Sequence, residues 1–117
     1  MDKETVDGLL EEYAKKPYVR GTVLLSSIGV PIAINKSRGA KVDSYAPLVS
    51  ITYEGAQELA STAGKHLGQL SVELRDGGRI VIRQVRESFL LAVQVQRYDD
   101  RIEKEINFLS NRVSKLI

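Results

Sequence analysis

Hydrophobic and polar positions recur along this chain with two periods. From Asp2 to Lys16, Val6, Leu9, Leu10 and Tyr13 fall three or four residues apart, which puts them on one face of a helix. Asp2 is suited to cap its start, Pro17 ends it, and Gly8 weakens it. Two apolar runs follow, Val19–Ser26 and Pro31–Lys36, joined by Ser-Ser-Ile-Gly-Val-Pro. They read as a hairpin turning at Ile28-Gly29, because glycine tolerates the positive φ of a tight turn. The pattern then predicts a long helix from Ser44 to about Leu67, with Val49, Tyr53, Ala56, Ala60, Ala63 and Leu67 as its apolar seam. Pro47 is expected in the first turn, where its missing N–H costs little. Gly55 and Gly64 lower the propensity of this helix.

Strand patterning returns after it. Leu70–Arg75 alternates strictly, with Leu70, Val72 and Leu74 on one face and Ser71, Glu73 and Arg75 on the other. Asp76-Gly77-Gly78 marks a turn, and Arg79–Val85 and Ser88–Gln96 form a hairpin across Arg86-Glu87. A last helix starts at Asp99 or Asp100, either of which suits an N-cap, and carries Ile102, Ile106, Leu109, Val113 and Leu116 as its stripe.

The predicted order is α-β-β-α-β-β-β-α. Tight hairpins make neighbouring strands antiparallel. Phe89–Val93 is apolar at every position, and Thr22–Leu25 nearly so, which asks for cover on both faces. Leu70–Leu74 has one apolar face and reads as an edge strand. The fold class is therefore α+β: a five-stranded antiparallel sheet in α/β/α layers, the middle helix on one face and the terminal helices on the other. The stretch Val19–Ser37 is expected to be the centre of a two-subunit sheet. A length of 117 residues suits a single domain, 1–117, able to bury a core unaided.

Composition narrows the function classes. There is no cysteine, so disulfides, thiolate metal sites and a cysteine nucleophile are excluded. The N-terminus lacks the basic start and apolar block of a signal peptide, and no apolar run is long enough to span a membrane. A cytoplasmic protein is expected. The net charge of +2 is too small to imply nucleic acid.

Candidate chemistry is sparse. His66 is the only histidine, at the expected end of the middle helix, with no acid or nucleophile patterned beside it. Ser26 and Ser27 lack the G-x-S-x-G elbow and read as turn residues. No glycine group forms a phosphate loop. The carboxylates Glu11-Glu12, Glu54 and Glu58, and Asp99-Asp100 lie mostly on solvated helix faces or at caps, so no paired acid–base site is expected. No catalytic, cofactor-binding or metal residue is assigned, and the expectation is a protein without enzymatic activity. Arg75, Arg79, Arg83, Arg86 and Arg97 fall in one stretch. Solvation or pairing within the chain is their first reading, a protein interface the second and nucleic acid the last. Off the seam of the middle helix, Leu48, Ile51, Gly55 and Leu59 form a second apolar group. It is either the rim of a wide core face or an interface.

The element order resembles the roadblock (dynein light chain) family over about Val6 to Ile106. The resemblance is carried by Val19–Ala33 with its Gly29 and Pro31, by the small-residue helix Ala46–Gly68, and by Gln69–Gly78 and Arg79–Val95. It is nearest in kind to the small single-domain prokaryotic members, the gliding-motility GTPase regulators. The chain departs from the family in its longer, basic connection Asn35–Pro47, in Tyr53 and two glycines within the helix, and in its long closing helix. The resemblance implies a homodimer, or a heterodimer with a roadblock paralogue. Its sheet edge would be Leu70, Ser71, Val72, Glu73, Leu74 and Arg75. Its helix contact would be Leu48, Ile51, Gly55, Glu58, Leu59 and Thr62. It further implies a non-enzymatic scaffold or regulator, including GTPase-activating types, that binds a small Ras-like GTPase. The alternatives are a structural adaptor of roadblock or longin type and a small-molecule sensor. No cofactor, nucleic acid or membrane insertion is implied.

Overall fold

A computed structural model describes residues 1–117. Helix α1 spans Lys3–Ala14, strands β1 Val19–Ser26 and β2 Pro31–Lys36, and helix α2 Val42–Thr62. Strands β3 (Leu70–Glu73), β4 (Arg79–Val85) and β5 (Phe89–Val95) and helix α3 (Asp100–Leu116) complete the order. The expected α+β fold with five antiparallel strands is the one observed, in the spatial order β2-β1-β5-β4-β3.

The all-apolar strands lie inside the sheet. β1 is held between β2 and β5, and β5 between β1 and β4, so both faces of each are covered. On one face Val6, Leu10 and Tyr13 of α1 and Ile102, Ile106, Leu109 and Val113 of α3 close over Val19, Leu24, Val81, Leu91 and Val93. On the other, Val42, Ala46, Val49 and Tyr53 of α2 close over Val23, Leu25, Ile82, Leu90 and Ala92. The Val19–Lys36 hairpin does not form the sheet centre as a unit. β1 is interior, but β2 is the outer edge, because the second side of β1 is taken by β5.

The hairpin turns follow the expected chemistry. Gly29 has φ +97° and donates to the Ser26 carbonyl at 2.9 Å, while Ser26 Oγ accepts from Val30 N–H at 3.1 Å. Gly77 (φ +95°) and Arg86 (φ +60°) make the other two turns. Asp2 accepts from Thr5 N–H, and Asp99 from Ile102 N–H at 2.9 Å, so both terminal helices are capped as the sequence indicates.

Helix α2 departs from expectation at both ends. It begins at Val42, ahead of Ser44, because Val42 is buried against the sheet beneath it. Pro47 therefore sits past the first turn, where its absent N–H leaves the Asp43 carbonyl without a helical donor. The helix stops at Thr62, short of Leu67. Gly64 (φ +77°) is its terminator: Gly64 N–H donates to Ser61 O and Lys65 N–H to Ala60 O, both at 2.9 Å, a Schellman closure. Ala56 and Ala60 of the predicted seam are only half-buried, and Ala63 is exposed at the cap. β3 is also shorter than its pattern. Pairing with β4 ends at Glu73, so Leu74 and Arg75 belong to the turn, where Leu74 N–H donates to Gly78 O.

Candidate functional site

This packing leaves two surfaces open. The first is the outer face of α2. Leu48, Ile51 and Leu59 are 59%, 67% and 73% exposed, and Gly55, Glu58 and Thr62 lie exposed among them. These six residues share the side of α2 turned away from the sheet. The core-rim reading of this group therefore fails within one protomer. Its hydroxyls are turned inward: Thr52 Oγ1 donates to Leu48 O at 2.8 Å and Thr62 Oγ1 to Glu58 O at 2.9 Å. That leaves methyl and methylene groups outward. No lysine or arginine stands in the stripe.

The second surface is the end of the sheet. α2 rests on β1, β2 and β5, so Leu70, Val72 and Ile80, which point to the same side, stay half-exposed beyond it. β3 hydrogen-bonds to β4 alone, and its outer edge is unpaired. Proline is absent there, and within the strand Glu73 is the only charge, so little opposes strand addition. Leu70–Glu73 of the predicted edge thus stand on the strand, with Leu74 and Arg75 just past its end.

Tyr45 fixes α2 relative to this edge. Its hydroxyl donates to Gln94 Oε1 on β5 at 2.7 Å, and burial pushes its pKa up to about 12. One contributor was not singled out from the sequence. Ile28 (85% exposed) and Val30 form an apolar tip on the β1–β2 turn, and the tip lies against α2, where a Cβ on Gly29 would come within 2.8 Å of Ser50 Oγ. The available signal was an isoleucine in a turn position that usually carries a polar residue.

The other candidates fall elsewhere. His66 lies beyond the end of α2 in a shallow polar recess with Glu54, Glu58, Lys65 and Gln84. Ser27 N–H donates to Ser88 O at 2.8 Å, tying two turns together, so both serines serve the turn. Four of the five arginines are engaged within the chain. Arg79 stacks on Tyr98 at 4.6 Å, and Arg83 Nε donates to Gln69 Oε1 at 2.7 Å. Arg86 donates to Ile117 O at 3.0 and 3.1 Å, and Arg97 pairs with Asp99 at 2.7 Å.

The model of the Roadblock/LC7 domain matches residues 5–95. The chain belongs to the Roadblock/LC7 family. The match ends at β5, so α3 lies outside it. Solved roadblock structures share the fold. The Roadblock/LC7 domain from Streptomyces avermitilis is 22% identical, over 93% of this chain and 91% of that one, with a TM-score of 0.75. Myxococcus xanthus MglB is 16% identical, over 98% and 89%, with a TM-score of 0.81. A structure described as MglB with tetrameric arrangement is 17% identical over 97% and 88%, with a TM-score of 0.82. At these identities the likeness establishes fold alone. No curated protein matches the sequence. No helix is long and apolar enough to cross a membrane.

Proposed function

We propose that this roadblock protein is a non-enzymatic dimeric scaffold that binds a small Ras-like GTPase and biases its nucleotide state. The observation that carries the reading is the presence of two open apolar surfaces, the α2 stripe and the half-covered end of the sheet at β3 and β4. One partner of the same shape closes both at once. Its β3 adds to the open edge, and its α2 lies along Leu48, Gly55 and Leu59, where Gly55 allows close approach. The joined sheet has ten strands, with the two α2 helices side by side on one face. Ile51 and the Ile28–Val30 tip flank that pair and supply a docking surface for the GTPase. MglB and MglC structures among the fold relatives support the assignment to this branch.

The mechanism is conformational. A scaffold that contacts one switch arrangement better than the other shifts the nucleotide equilibrium by its differential affinity. The absence of a cation in the stripe favours a passive surface over one that donates a charge to the transferring phosphoryl group.

The test is a pull-down from source cells with the lysate divided between GTP-analogue and GDP buffers, followed by mass spectrometry. A small GTPase enriched in one buffer is the expected result. Capture of other subunits with no GTPase in either buffer would replace this reading with that of a structural adaptor.

A further inference from the structure

We propose a second self-association surface, on the face opposite α2, formed by antiparallel packing of two α3 helices from separate copies. Its basis is a stripe of four residues at i, i+4 spacing: Asp100, Lys104, Phe108 and Arg112. All four are exposed, and successive members stand about 6 Å apart along the helix. They border a groove of about 770 Å³ between α1 and α3, whose floor is apolar at Leu9, Tyr13 and Leu109.

Two observations set the stripe apart from an ordinary solvated helix face. Phe108 is 64% exposed and lies outside the buried seam, so folding of the protomer gives no reason for it. In addition, Asp100, Lys104 and Arg112 have no opposite charge within 4 Å, although neighbouring Lys16 and Arg101 both reach Glu105. Arg112 is placed 5.8 Å from the Phe108 ring centroid.

The order Asp-Lys-Phe-Arg is complementary to itself in reverse. With the dyad at the axial level of Ile106, on the exposed side of the helix, Asp100 of one copy meets Arg112 of the other, and Lys104 meets the face of Phe108. The remaining two contacts repeat these by symmetry, as a two-fold interface requires. An ammonium over an aromatic ring and an aspartate–guanidinium pair are both attractive. A parallel arrangement would set like beside like. The occupant is therefore a second copy of this chain. The surface is distinct from the α2 and β3 contact, so the two together link one pair of chains to another.

The experiment is sedimentation velocity on the full chain, with circular dichroism to verify folding. Asp100→Arg and Arg112→Asp each place like charges across the dyad, twice. Each is expected to weaken the association about tenfold to a hundredfold. The double variant restores complementarity and returns the wild-type mass. Phe108→Ser removes two buried rings and weakens it about a thousandfold. If the α2 and β3 contact forms, the singles convert particles larger than pairs to pairs. If it does not, they convert pairs to single chains of 13.0 kDa, so failure of one interface is separable from failure of the other. Folded single variants with the mass of the wild type, or a double variant that fails to restore it, overturn the proposal.

Discussion

Replacing Leu59 by alanine separates assembly from folding. Its side chain is 73% exposed in the protomer and supports no core contact, so the substitution leaves the folded monomer intact. In the proposed dimer it is buried against the partner α2. Leucine loses three carbon groups on truncation to alanine, each contributing about 0.8 kcal/mol when buried. Scaling by the 73% that is open in the protomer gives about 1.8 kcal/mol per copy. The two-fold axis doubles this to about 3.5 kcal/mol, which raises the dimer dissociation constant by about 300-fold. Gross burial of Leu48 and Leu59 on both copies amounts to about 4–8 kcal/mol, to which strand pairing at β3 adds, and the titration is centred on micromolar concentrations. Sedimentation equilibrium across that range reads the shift, and thermal melting checks that the fold persists. A folded variant with an unchanged dissociation constant would refute the assignment of the stripe to the dimer.

Two other perturbations test the protomer. A Cβ on Gly21 would lie 2.5 Å from Val42 Cγ2 and 2.7 Å from the Asn35 carbonyl oxygen, so Gly21→Ala forces α2 away from the sheet; a loss of about 3 kcal/mol and a fall in Tm of about 10–15 °C are expected by calorimetry. Tyr18, whose hydroxyl donates a hydrogen bond to the Glu105 carboxylate, and Tyr45 both have pKa values raised by burial to about 12. Such groups stabilise the fold fully below their unfolded pKa near 10, and this contribution drains as pH climbs from there toward 12. Denaturant midpoints should therefore be flat below pH ~10 and decline above it, with Tyr45→Phe giving a shallower decline.

The legible part of this fold was the part governed by local pattern. Strand burial on both sides shows as uninterrupted apolar runs, which is why β1 and β5 were recognisable as interior strands and Leu70–Glu73 as an edge. The caps and turns were legible for the same local reason: Asp2, Asp99, Gly29 and Gly77 each act within four residues of their partners. What failed was pattern whose meaning depends on distant contacts. Gly64 reads equally as a weak point inside a helix or as its terminator, and only the closure with Ala60 and Ser61 decides. Val42 looked like loop because the core it enters belongs to β1 and β5, far along the chain.

The candidate surface follows the same division. Leu48, Ile51 and Leu59 were visible as an apolar group, but α2 carries apolar residues over most of its circumference, so periodicity could not say which side the sheet would take. The sheet decides by its extent. α2 rests mainly on β1, β2 and β5 and reaches β4 at Ile82, which leaves Leu70, Val72 and Ile80 half-exposed. In the proposed dimer the partner's α2 closes that end of the layer. In that dimer the edge strand, the half-covered end of the sheet and the exposed stripe close together, so a substitution at Leu59 reads the stripe's share of a single interface.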